Sequence, residues 1–105
     1  MIAFQPKGDV ESFTGATTAP TSVQAVGNDG AQQYCLSNTS STIDCIVGWG
    51  QTDVEAKANA TAGNANSYYL MHSTQVVVTA PINAYFSGVT SSSTAVVKVQ
   101  AGIGN

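Results

Sequence analysis

The side chains best suited to acid–base, thiol or metal chemistry are few in this 105-residue chain: one histidine, two cysteines and six carboxylates. Their spacing decides what they can do. His72 is the base that a serine nucleophile would need, but no Gly-x-Ser-x-Gly elbow accompanies it, so it is read as a half-exposed polar residue near a strand end. Cys35 and Cys45 are placed symmetrically about Ser40, where two strands joined by a loop could bring them face to face. In the cytosol such thiols stay reduced, and cysteine is a common small buried residue, so both are expected to be buried and free. Two cysteines and one distant histidine also fall short of the four ligands of a structural zinc site. Asp53 and Glu55, with Asp44 before them, could share a face and hold a divalent cation if the segment were extended, but not on a helix. No second Asp/Asn-rich cluster completes a shell, and a solvated loop is the expectation. No catalytic residue, metal or cofactor is assigned.

Three short motifs have plain readings. Asn38-Thr39-Ser40 and Asn59-Ala60-Thr61 are glycosylation sequons, which matter only in a secretory pathway. Lys7-Gly8-Asp9 can bind receptors when displayed on a loop, yet here Gly8-Asp9 is read as the turn into the first strand.

Composition limits the elements that position these groups. Charged residues make up 9% of the chain, against roughly 25% in an ordinary soluble domain. The net charge is −3, and the only cations, Lys7, Lys57 and Lys98, lie far apart. Phosphate binding needs a cationic patch, so no nucleic-acid partner is expected. No apolar stretch approaches the ~20 residues of a membrane span, and no membrane partner is expected. Met1 to Val10 carries no apolar run of the kind found in secretory leaders, which predicts synthesis in the cytosol. A hydrophobic share of 43% is enough for one packed core at this length. A surface of Ser, Thr, Asn and Ala suits a repetitive assembly or a glycan-facing surface better than a lone monomer.

Periodicity reads as strands nearly throughout. Short alternating runs occupy Glu11–Thr14, Ser22–Val26, Gln33–Ser37, Asp44–Trp49, Ser67–Met71, Gln75–Ala80, Ala84–Val89 and Thr94–Gln100. Asn28-Asp29-Gly30 is a strong turn signal. The loops at 38–42 and 90–93 are expected to close two hairpins, the second the clearer. Asp53 to Ala60 is the one helical candidate, one or two turns with acids near its start. The expectation is an all-β fold: a single small β-sandwich or jelly-roll-like domain of about eight short antiparallel strands over residues 10–105, preceded by an N-terminal arm over residues 1–9. Alternation assigns Trp49, Val76, Val78, Phe86, Val97 and Val99 to the core, with Tyr34 or Leu36, and turns Lys98 to solvent.

Several segments taken together resemble a family of small virion structural proteins of tailed bacteriophages. They are Ala3-Phe4-Gln5-Pro6-Lys7-Gly8-Asp9, Pro20 to Val26, Val47-Gly48-Trp49-Gly50, and the closing stretches Asn83 to Thr90, Thr94 to Val99 and Gly102-Ile103-Gly104. The chain departs from that pattern at Thr90 to Ser93, where a turn glycine is expected, at Lys98, and in its two cysteines. The resemblance implies a non-enzymatic capsid decoration or cement subunit, made in the host cytoplasm and carried in the virion. Its implied partners are the major capsid protein and copies of itself, a homotrimer among the arrangements such proteins adopt. Head–tail connector, head fibre and tail component are alternatives. Ile2, Phe4 and Gln5 of the arm are the candidate contact residues, with an edge strand of the same domain as the competing reading. From a different class, a carbohydrate-binding or adhesin module would need Trp49, Tyr68, Tyr69 and Tyr85 exposed on one face.

Overall fold

A computed structural model describes residues 4–61 and 64–103, so Ile2 of the arm and Gly104 of the tail lie outside the described residues. In chain order the elements are β1 (Gln5–Pro6), β2 (Glu11–Gly15), β3 (Val23–Gln24), β4 (Gln33–Asn38), β5 (Cys45–Gly50), α1 (Asp53–Asn59), β6 (Ser67–Leu70), β7 (Gln75–Thr79), β8 (Tyr85–Val89) and β9 (Ala95–Ile103). The eight expected strands are all present, and Gln5–Pro6 adds a ninth.

They form two antiparallel sheets. In the first, β9 is flanked by β4 on one side, with β7 outside it, and by β1 and β2 end to end on the other. The second runs β3-β8-β5-β6. Alternating side chains from both sheets meet between them: Phe13, Tyr34, Leu36, Val97 and Val99 from one, Cys45, Val47, Trp49, Leu70 and Phe86 from the other. Val76 and Val78 pack against this core partly buried, because β7 is an edge, and Lys98 is exposed. Tyr34 and Phe86 join the layers ring to ring at 4.9 Å. Full burial of side chains of this size contributes roughly 1.5–3 kcal/mol each.

Neither expected hairpin forms. β4 and β5 lie in different sheets, as do β8 and β9, so each of these loops arches from one layer to the other. The arches are held by side chains in place of a ladder. Asn38 donates its amide hydrogens to the carbonyls of Ile43 and Leu70, and Ser40 Oγ accepts the N–H groups of Thr42 and Ile43. In the other arch, the Thr90 hydroxyl donates to the Ser93 carbonyl at 2.8 Å. Consequently Cys35 and Cys45 do not oppose each other. Cys45 is buried in the core, whereas Cys35 is only half-buried, contrary to expectation, because its strand position turns it outward beside Val77 and Gln100. Both thiols are free.

The helix forms where expected, ending one residue earlier. Thr52 caps it by accepting the Glu55 N–H, and the Glu55 carboxylate accepts the Gln51 N–H. It packs on the outer face of β5, where Gly48 and Gly50 present no side chain. A Cβ at Gly48 would run into the backbone of Asn59 and Ala60, and one at Gly50 would meet Glu55 Cβ at 2.5 Å.

Candidate functional site

Among the described residues, Asp44, Tyr69 and His72 form a cluster of titratable groups that local spacing does not reveal. Asp44 immediately precedes β5, Tyr69 lies on the neighbouring β6, and His72 follows in the turn toward β7. Asp44 Oδ1 accepts the His72 backbone N–H at 2.8 Å and lies 2.7 Å from His72 Nδ1, while Oδ2 accepts the Tyr69 hydroxyl at 2.7 Å. A carboxylate oxygen can only accept here, which places a proton on Nδ1. The His72 N–H, the Tyr69 hydroxyl and the His72 ring together hold the Asp44 carboxyl down to about 2. The hydrogen bond that the Tyr69 phenol donates to Asp44 raises its pKa, since ionisation would give up that bond and set a phenolate against a carboxylate.

Beside this cluster is a groove of about 190 Å³ on the outer face of the second sheet. Ile43, Ile46 and Val89 line it together with Asp44, Tyr69, Ser91 and Ser92. The Asp–His contact has the form of the base and orienting acid of a catalytic triad, but among the described residues no serine hydroxyl is hydrogen-bonded to His72. What the cluster does is tie the β6–β7 connection to the start of β5, so that one carboxylate secures the crossing between the sheets.

The other carboxylates go elsewhere. Asp53 accepts the Ser22 N–H at 2.7 Å, fastening the segment before β3 to the helix start, and Glu55 serves the helix N-terminus. The Asp44, Asp53 and Glu55 side chains therefore do not converge, and the described residues contain no group of three metal-ligating side chains. Both sequon amides are engaged: Asn38 is buried, and Asn59 donates to the Trp49 carbonyl at 2.8 Å. Lys7-Gly8-Asp9 is tied to its own domain through the Lys7 N–H on the Ala101 carbonyl and the Gly8 carbonyl on Gln100.

The four aromatics do not make one surface. Trp49 is buried, and Tyr68 and Tyr69 alternate onto opposite sides of β6, matched to Val47 and Ile46. In the arm, Gln5 pairs with Ile103, and the Phe4 ring covers Gly102 so closely that a Cβ there would collide with it. Phe4 is half-buried within its own domain, and Gln5 stays exposed.

Two buried polar groups that sequence reasoning passed over matter to this frame. Asn38 sits inside a sequon read as loop, yet it is the bracket between the sheets. The Tyr34 hydroxyl donates to the Pro81 carbonyl at 2.6 Å and accepts the Ala84 N–H at 3.2 Å, so the β7–β8 connection is hung on a core aromatic. The alternation of Tyr34 with Leu36 signalled its burial, but nothing local signalled its partners. Comparison with protein-family models, with curated proteins and with solved structures finds no match to this chain.

Proposed function

We propose that this protein is a structural subunit of a tailed bacteriophage particle, binding the capsid shell as a decoration or cement protein. One observation carries the reading. The segments that resemble the phage virion family are scattered along the chain, yet in the fold they pair with one another. The opening Gln5-Pro6 lies on Gly102-Ile103, Val23-Gln24 on Tyr85-Phe86, and Trp49-Gly50 on Tyr85-Phe86 from the other side. The resembling segments thus meet at three strand contacts, one in the first sheet and two in the second.

The chemistry of the chain agrees with a contact-making part. Few charges need to be desolvated when its surface meets another subunit, and repetition on a shell multiplies modest contacts. Phe4 and Gln5, beside Ile103 at the β1–β9 end, are the residues through which a shell is met. Phage particles purified from the genome that encodes this chain should contain it in copy numbers matching the symmetry of the shell. Removing its gene should leave heads able to assemble but less resistant to heat. Its absence from purified particles would overturn the proposal.

A further inference from the structure

The outer strand of the first sheet, β7, presents a bare hydrogen-bonding edge. Its ladder to β4 is fixed at both ends: the Thr74 carbonyl accepts the Asn38 N–H at 3.0 Å, and the Ala80 N–H donates to the Gln32 carbonyl at 2.9 Å. In an antiparallel pair, hydrogen-bonded and non-bonded positions alternate. Val76 and Val78 therefore bond to β4, opposite Leu36 and Tyr34, while the N–H and C=O groups of Gln75, Val77 and Thr79 point away from it. Among the described residues these groups have no backbone partner.

Natural sheets blunt such edges with proline, charge, bulges or very short strands. Here β1 contains Pro6, β2 contains Glu11, β3 has two residues and β6 has four. Among the described residues only β7 is a five-residue edge with no proline, glycine or charge. Its sequence, Gln75-Val76-Val77-Val78-Thr79, is also nearly symmetric about its centre, an apolar triplet between two hydrogen-bonding side chains.

We infer that β7 pairs with β7 of a second copy, antiparallel about a two-fold axis through Val77. The free groups lie at Gln75, Val77 and Thr79, so Val77 meets Val77 and Gln75 meets Thr79 as hydrogen-bonded pairs. Val76 meets Val78 between them, and each three-residue row exchanges its N–H and C=O groups with the other. Val76 and Val78 point inward and are only partly buried, so each covers its counterpart and the two cores become continuous along the joined sheet. The nearly symmetric sequence suits a second copy, because a two-fold axis through Val77 sets valine against valine and Gln75 against Thr79. No charge on either strand opposes the contact. The open edge of β7 is there whether or not the chain sits in a virion.

Light scattering over a dilution series, combined with residue-resolved hydrogen exchange, tests it. Concentrated protein should show twice the 10.7 kDa chain mass, with slow exchange at the Gln75, Val77 and Thr79 amides that becomes fast on dilution. Val77→Lys would set two ammonium groups against each other at the axis. It should give the single-chain mass at every concentration and fast exchange at those three amides. The Val76 and Val78 amides, bonded to β4, and the Ala80 amide, bonded to Gln32 just before it, should stay protected in the variant and show that it is folded. A wild-type chain that remains single throughout, or a dimer whose Val77 amide exchanges freely, would overturn the inference.

Discussion

The side chain of Asn38, at the end of β4 in one sheet, donates to the carbonyl of Leu70, at the end of β6 in the other, at 3.1 Å. The same amide donates to Ile43 at 3.0 Å, and its oxygen accepts the Ser40 N–H at 3.0 Å. A single buried amide thereby satisfies the backbone at the point where the chain leaves one layer for the other.

Asn38→Ala should be among the most destabilising polar substitutions in this protein. It leaves the Leu70 carbonyl, at a buried contact, without its donor, at a cost of about 1–3 kcal/mol, and removes the part-buried bond to Ile43 as well. The urea midpoint measures this. A variant within experimental error of wild type would show that water replaces the amide.

Stability should fall on the acid side in a way that depends on Asp44. Its carboxyl titrates at about 2 in the fold, below the ~3.9 of an unfolded chain. With the folded pKa depressed, the stabilising contribution is complete above the unfolded value and is lost as pH drops toward the folded one. Asp44→Asn should lower the melting temperature at neutral pH and flatten the acid limb, so that the two curves converge at low pH. Parallel curves down to the lowest pH would mean that the Tyr69 and His72 contacts carry no linkage.

The two thiols should differ in reactivity. Burial pushes the Cys45 thiol up to about 12, which suppresses the thiolate that attacks labelling reagents, whereas Cys35 is half-buried on the outer face. Under native conditions, mass spectrometry should find one label, at Cys35, with the second appearing only on unfolding. Equal labelling rates would contradict this placement of Cys45.

Gly48→Ala tests whether α1 owes its seat to a bare strand face. The added methyl would meet the backbone of Asn59 and Ala60, which cannot rotate aside as a side chain can. A loss of roughly 1–3 kcal/mol, typical of overpacking, is expected. The fluorescence of Trp49, the only tryptophan and adjacent in sequence, should report the shift. Unchanged stability and emission would show that the helix moves off at no cost.

What the sequence determined by itself was local. Alternation along five or six residues placed the strands, because side-chain direction in a strand follows position alone. It also separated Phe86, Val97 and Val99 from Lys98. The helix was legible for the same reason, since its helix-forming residues and the acids near its start lie within one short segment, whereas the Thr52 cap emerged only in the fold. Sheet membership was not legible. Val89 and Ala95 flank a short polar loop that suits a hairpin or an arch equally, and the choice rests on which partners the flanking strands find elsewhere, β5 for β8 and β4 for β9. Asp44 and His72 met for the same reason: twenty-eight positions apart in the chain, they were brought together only when β6 paired with β5. The bare edge of β7 is likewise a tertiary fact. Its valines are plain in the sequence, but which of its hydrogen bonds stay open depended on a neighbour on one side and none on the other.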